Sequence, residues 1–254
     1  MSVKLARARI ADGITYGLAE NDAFVPIEGD PFGEWKRGHQ QLGIGGVELL
    51  NPVEPKRILV ILGGFLKEGE TRVPEGTQPR LFPKVVTAHL GPHAVIPRSP
   101  ILTGPMEMEA EIALVVGRTI SNATVDEAWD SIFGFTPYND VTAGEFVPDD
   151  LFRAKSLDGY SVFGPWVSTD LTKDEIKDGL SITGRVNGKV CQSGNTSRFK
   201  FDPGEVLAHA SRYVTLVPGD IIALGTPPPP YPIKPGDRVD AVVEGLGTLT
   251  NVAG

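Results

Sequence analysis

Met106-Glu107-Met108-Glu109-Ala110-Glu111-Ile112-Ala113-Leu114-Val115-Val116-Gly117 sets the class of the fold. Its second half is apolar and branched, and it is too short for a buried helix, so it predicts a strand covered on both faces. If that strand begins early enough to include Glu107, Glu109 and Glu111, the three carboxylates share one face, because strand side chains repeat every two residues. Like charges gathered at the mouth of an apolar strand are costly unless a cation or a set of donors offsets their repulsion. Two explanations compete at this point, a metal site and an exposed strand edge.

The rest of the chain agrees with a strand-rich fold. Its 30 glycines and 22 prolines in 254 residues interrupt the sequence too often for long helices. Residues 3 to 28 break at Asp12-Gly13 and Asn21-Asp22 into a small meander of short strands. Val47-Glu48-Leu49-Leu50-Asn51-Pro52-Val53-Glu54-Pro55 reads as a linker into a second unit that opens with Arg57-Ile58-Leu59-Val60-Ile61-Leu62. The predicted organisation is a small β-rich N-terminal domain over 1–54 and a larger domain over 55–254.

Helices are few and marked by their caps. Thr124-Val125-Asp126-Glu127 forms a capping box ahead of Ala128-Trp129-Asp130-Ser131-Ile132-Phe133, which predicts a short helix through Phe133, and Thr172-Lys173-Asp174-Glu175 repeats the device. Asp202-Pro203-Gly204-Glu205 opens a third helix through Tyr213, with a cap and a proline at the first helical position. Asn187-Gly188, flanked by Ile182-Thr183-Gly184-Arg185-Val186 and Lys189-Val190-Cys191-Gln192, predicts a two-residue hairpin. Two further strands are expected within 219–225 and 237–244. Strands without regular helical crossovers give an α+β class, mixed-sheet fold with few short helices, not a doubly wound one.

Composition narrows the function. A net charge of -8 argues against nucleic acid and anionic membrane surfaces as partners. Cys191 is the only cysteine and has no internal disulfide partner. The N-terminal residues lack the apolar core of a signal peptide and no apolar run approaches the ~20 residues of a membrane span, so a cytoplasmic location is expected. A hard cation prefers about six oxygens, and Asp140 is the candidate for a further ligand, since it ends the aromatic, β-like segment Gly134-Phe135-Thr136-Pro137-Tyr138-Asn139-Asp140. Spacing alone leaves open that Asp140 caps a turn.

Glu109-Ala110-Glu111-Ile112-Ala113-Leu114-Val115-Val116-Gly117, Tyr138-Asn139-Asp140-Val141-Thr142, Ala154-Lys155-Ser156-Leu157-Asp158-Gly159, Gln192-Ser193-Gly194-Asn195-Thr196 and Pro218-Gly219-Asp220-Ile221-Ile222-Ala223-Leu224-Gly225-Thr226-Pro227, taken in this order, resemble the fumarylacetoacetate hydrolase family and its bacterial acylpyruvase and isomerase branch. The resemblance runs from about residue 57 to the end. It implies a β-roll core, a homodimer, and a magnesium or manganese ion held by Glu109, Glu111 and Asp140, with Glu107 in a supporting place. Lys155 matches the family's lysine beside the metal, and Gly194, Asn195 and Thr196 match a loop that contacts substrate oxygens, although Thr196 fits a structural role equally. Leu81-Phe82-Pro83-Lys84-Val85 keeps most of a Phe-x-Lys-Pro motif and makes Lys84 a candidate substrate contact.

What the resemblance implies chemically is cleavage of a carbon-carbon bond in a 2-oxo acid or 1,3-dicarbonyl compound through an enolate stabilised by the ion and Lys155. Hydrolysis is the family default, and decarboxylation or isomerisation of related diacids uses the same core. Hydrolytic relatives carry a histidine and a glutamate in the loop after the first core strand. Here Gly63-Gly64-Phe65-Leu66-Lys67-Glu68-Gly69-Glu70-Thr71 puts Glu68 where the histidine is expected, as a weaker base or an ordinary lid charge. That loss leaves room for a decarboxylase, an isomerase or a catalytically silent binding homologue. Prolines 227–230 stiffen the loop after Thr226. His89 and His93 lie within reach of the predicted site, whereas His209 is expected to pack within its helix.

Overall fold

A computed structural model of the chain describes residues 3–71 and 73–254. The run Ala110–Val116 is fully buried along its length and lies near the middle of the main sheet, between Ile132–Asp140 and Ile221–Ala223. Its two faces enter two cores. Ala110, Ile112, Leu114 and Val116 pack with Ile182, Val239, Ala241 and Leu249 of a second sheet and with Val206 and Leu207 of a helix. Ala113 and Val115 pack with Ile58, Val60, Phe82, Tyr138 and Phe163. Burial on both sides is what an uninterrupted apolar strand requires.

Outward from this strand the main sheet runs through Ile221–Ala223 and Ile58–Ile61 to Leu81–Lys84 on one side, and through Ile132–Asp140, Val167–Ser168 and Lys4–Ile10 to the N-terminal meander on the other. Ile221–Ala223 and Ile58–Ile61 are parallel, so the sheet is mixed. The second sheet orders Lys189–Asn195, Ser181–Val186, Arg238–Val243, Gly247–Ala253 and Val95–Ile96. Strands dominate and the α-helices of the described residues are short, as an α+β fold requires. Among the described residues no helix is long and apolar enough to cross a membrane.

Local chemistry explains the turns. The meander strands Lys4–Ile10, Gly13–Glu20 and Ala23–Gly29 are joined by two tight turns, the second with Asn21 and Asp22 at φ of 48° and 59°, the conformation that suits short polar side chains. Asn187 and Gly188 do the same at φ of 50° and 79°. The meander is not a detached sheet, because Lys4 pairs with Ser168 and Leu5 with Val167. The expected capping boxes form at Thr124 and Thr172, and the expected cap at Asp202 is completed into a capping box by Glu205.

Three expectations are corrected. The helix after Thr124 stops at Trp129, and Ile132 and Phe133 start the strand Ile132–Asp140, where the core competes for their apolar side chains. A short helix, Leu151–Lys155, capped by Asp150, has no counterpart in the sequence prediction. The acidic run is not one strand either: Met106–Met108 pairs with Tyr231–Ile233, Ala110–Val116 pairs elsewhere, and Glu109 sits at the change of partner.

Asp220 ties the core strands together. Fully buried, its carboxylate accepts the N–H groups of Lys56, Arg57 and Val217 at the start of the parallel pair. Asp220→Ala strands these donors and is expected to cost on the order of 3 kcal/mol. The check is a lower denaturant midpoint at unchanged slope, with Asp220→Asn recovering part of the loss because its amide oxygen still accepts.

Candidate functional site

The break at Glu109 builds the site. Although the strand partners change there, hydrogen bonding to the neighbouring segment continues: Glu107 and Thr142 exchange backbone bonds of 2.8 and 3.0 Å, and Asp140 N–H donates to the Glu109 carbonyl at 3.0 Å. Side chains take the donors that the break leaves over. Asn139 Oδ1 accepts from Glu109 N–H and Gln192 Oε1 from Ala110 N–H, both at 3.0 Å. Glu109 and Asp140 are therefore held opposite each other, with Glu111 two residues further along. Glu109, Glu111 and Asp140 are buried, with ligand atoms within 4.8 Å of one another.

Two lysines bind the cluster. Lys155, the last residue of the helix Leu151–Lys155, donates from Nζ to Glu109 Oε1 at 2.7 Å, Asp140 Oδ2 at 2.6 Å and Thr142 Oγ1 at 2.6 Å. Lys84 donates to Asp140 Oδ1 and to the Tyr160 carbonyl. The Thr142 hydroxyl in turn donates a hydrogen bond to Glu109 Oε1 at 2.7 Å. Glu111 has a lighter set of contacts, accepting from Gly225 N–H at 2.8 Å.

Proton affinities follow from this arrangement. Burial alone would raise the Asp140 carboxyl, but the charges of Lys155 and Lys84 outweigh it and hold Asp140 below its ordinary value. Burial opposes the charge on Lys155 too, yet Asp140 and Glu109 keep its ammonium group above the usual lysine range. Glu111 goes the other way. Burial first, then the charges of Asp140 and Glu109, push its carboxyl well above the carboxylate range.

The donor set fits a hard divalent cation. Lys84 and Lys155 offset two charges when all three carboxylates are ionised, and Glu111, bonded to neither lysine among the described residues, is the carboxylate left to hold a proton or to meet a cation. Each carboxylate oxygen retains acceptor capacity beyond its hydrogen bonds, and an all-oxygen set suits magnesium or manganese. The cluster opens into a cavity of about 410 Å³ lined also by Glu107, Phe82, Val147, Leu151, Thr226 and Pro230.

Of the residues singled out in the sequence, the structure brings together Glu109, Glu111, Asp140 and Lys155, with Glu107 on the adjacent wall. Others lie apart. Lys84 is buried against Asp140 and does not line the cavity. The Thr196 hydroxyl donates to the Ile176 carbonyl at 2.5 Å and accepts from Leu180 N–H at 2.8 Å, while Asn195 Oδ1 caps Ser197 and Gly194 packs on Pro227 and Phe65. None of these three lines the cavity, and the bonds of Thr196 are structural. Glu68 is exposed in a turn that Arg198 pins through the carbonyls of Lys67 and Glu70, outside the acidic cavity.

The histidines do not replace it. His89 bonds the Val86 carbonyl and stacks on Phe163, and His93 lines clefts beside the N-terminal strands. Thr142 and Gln192 are the residues that sequence reasoning missed. Thr142 was detectable, since it follows Asp140 at the strand period of two. Gln192 also donates to Thr226 Oγ1 and the carbonyls of Pro227 and Pro229, contacts that no local pattern announces.

The family model for the C-terminal domain of fumarylacetoacetate (FAA) hydrolase matches residues 62–253, and a model named Rv2993c-like, N-terminal, matches residues 3–52. Protein Rv2993c of Mycobacterium tuberculosis is 33% identical over 261 residues, covering 98% of this chain and 97% of its own length. The structure is similar to that of a 5-carboxymethyl-2-hydroxymuconate delta-isomerase from Mycobacterium smegmatis, with a TM-score of 0.90, 31% identity and 98% of each chain covered. It is also similar to a maleylpyruvate hydrolase from Sphingobium sp. SYK-6 solved with a manganese(II) ion and pyruvate, with a TM-score of 0.80, 25% identity and 99% of each chain covered.

Proposed function

Because the chain belongs to the fumarylacetoacetate hydrolase family, we propose that it is a divalent-metal-dependent enzyme that cleaves a carbon-carbon bond in a 2-oxo acid or 1,3-dicarbonyl compound. The observation that carries this reading is the buried group Glu109, Glu111 and Asp140 with Lys155 bonded to two of its members beside a cavity. These three carboxylates would hold magnesium or manganese. When bound, such an ion supplies Lewis acidity toward a chelating carboxylate and ketone.

The chain's own residues do the rest. Lys155 is held charged, so it is not the base; it fixes Glu109 and Asp140 and keeps positive charge where a substrate oxygen becomes anionic. Asp140 stays ionised as a ligand. Gln192 clamps the loop from Thr226 to Pro229, and Thr226 and Pro230 form part of the cavity wall. Hydrolysis additionally needs a base for the attacking water. Glu68 is exposed outside the cavity, and this favours a second reading, a decarboxylase or isomerase that needs no such water. The division into an N-terminal unit, 1–54, and a catalytic unit, 55–254, and a homodimeric assembly are part of the same proposal.

The test supplies purified protein and magnesium or manganese with an acylpyruvate, oxaloacetate and a hydroxymuconate-type diacid, following ultraviolet absorbance and carbon dioxide. Turnover that survives a chelator would sink the metal-dependent reading. Evolution of carbon dioxide without acylpyruvate cleavage would select the decarboxylase.

The proton on Glu111 gives a second check. A carboxyl raised by burial and by its acidic neighbours must lose its proton before it can ligate, so cation uptake releases a proton and weakens as pH falls. Manganese titrations followed by electron paramagnetic resonance should show affinity falling from pH 8 toward pH 5. A flat profile would refute the assignment.

A further inference from the structure

The cavity changes character away from the acids, and this bears on which substrate it takes. Ile61, Leu62, Phe82, Val147, Leu151 and Pro230 line it, and Leu62 and Val147 remain 38% and 44% exposed, large apolar side chains left open at the wall of a polar site. Among the described lining residues Lys155 carries the one positive charge, and its ammonium group is spent on Glu109, Asp140 and Thr142. Glu107 adds a carboxylate to the wall and lies over Gly144, with its carboxylate carbon 2.5 Å from the point where a Cβ on Gly144 would stand. The cavity volume of about 410 Å³ is within the ~300–1,000 Å³ of small-molecule sites and leaves room for a chain beyond a 2-oxo acid head.

We infer that this outer wall selects a 2-oxo acid whose far end is an uncharged apolar chain, not a second carboxylate. The inference rests on the reading that the head of a 2-oxo acid is bound at the acidic cluster. An alkyl or aryl tail removes Leu62 and Val147 from water, each methylene adding roughly fourfold in affinity when fully buried. A distal carboxylate at the same place is desolvated against apolar side chains and meets the like charge of Glu107, without a free cation among the described lining residues to offset either cost. Lys200 offers an alternative: its Nζ lies 3.9 Å from where a Cβ on Gly63 would stand, beside the cavity but outside its lining.

Calorimetric titration of the manganese-loaded full chain with pyruvate, 2-oxobutanoate, 2-oxohexanoate and 2-oxoadipate separates these cases. Affinity is expected to climb along the monoacids, and 2-oxohexanoate should bind at least about tenfold tighter than the six-carbon diacid 2-oxoadipate. Val147→Lys, a change at an exposed position, should narrow or reverse that ratio, and Glu107→Gln should narrow it. If pyruvate binds but 2-oxoadipate equals or exceeds 2-oxohexanoate, the tail selection is wrong while the site reading stands, and loss of that diacid preference in Lys200→Met would place the second carboxylate there. Failure of pyruvate and all its homologues to bind overturns both.

Discussion

Asp140→Ala is expected to lower the melting temperature of the metal-free protein by roughly 10 °C or more. Asp140 is fully buried, and its two oxygens are divided between Lys84 on Oδ1 and Lys155 on Oδ2. Lys84 is 5% exposed and among the described residues has only the carbonyls of Tyr160 and Val141 left as partners; Lys155 keeps Glu109 and Thr142. Removing one partner of a buried pair costs ~3–5 kcal/mol, because the remaining charge is stranded in low dielectric. For a chain of this size each kcal/mol moves the midpoint by roughly 2–4 °C. Asp140→Asn should fall between wild type and alanine, since it keeps one acceptor but loses the charge. The double variant Asp140→Ala with Lys84→Met should recover part of the loss, because it removes the more isolated of the stranded cations. A melt within 2 °C of wild type for Asp140→Ala would show that the two lysines do not depend on it.

That coupling marks where the sequence stops being informative. The alternation of Glu107, Glu109 and Glu111 ahead of an apolar run placed three acids on one face by period alone, and the turn chemistry at Asn21-Asp22 and Asn187-Gly188 fixed the hairpins, because each depends on residues adjacent in the chain. The strand break at Glu109 was not legible. It arises because Met106–Met108 finds its partner 120-odd residues away at Tyr231–Ile233, a tertiary choice with no local signature. The overrun of the helix after Thr124 has the same origin, since Ile132 and Phe133 suit a helix face as well as a strand and the sheet decides. Leu151–Lys155 was missed for its length, although Asp150 supplied a cap that could have been recognised.

The site divides along the same line. The acids proposed as metal ligands announce themselves as candidates, two at strand spacing and one ending a β segment, and the family resemblance joins them into one set. The residues that hold those ligands do not, for Lys84 looked like a substrate contact until its partner was visible, and Thr196 until its hydroxyl was seen to join Ile176 to Leu180. Glu68 was placed by counting along the loop, and the turn pinned by Arg198 leaves it in solvent.

Glu111→Gln should have the opposite effect from Asp140→Ala on the metal-free protein and a larger effect on function. In the absence of a cation Glu111 is the carboxylate with no lysine of its own, pushed up by burial and by the charges of Asp140 and Glu109. Its folded pKa lies above the unfolded one, so the folded state retains a proton that the unfolded chain has released; stability is therefore present below the unfolded carboxylate value near 4.5 and is lost as pH rises toward the folded value. Glutamine removes that loss and can still accept from Gly225 N–H. Metal-free Glu111→Gln should melt above metal-free wild type at pH 8, and the gap should close as pH falls toward 4.5. Adding manganese should reverse the order, because a ligand that binds only the folded state stabilises it by mass action and the variant binds it poorly. The loss of cation affinity should exceed the roughly 10- to 100-fold that follows removal of an outer hydrogen-bond partner, with kcat/KM falling at least as far. A variant that gains no stability without metal would place the uncompensated charge elsewhere in the cluster, whereas one that binds manganese as wild type does would remove Glu111 from the ligand set.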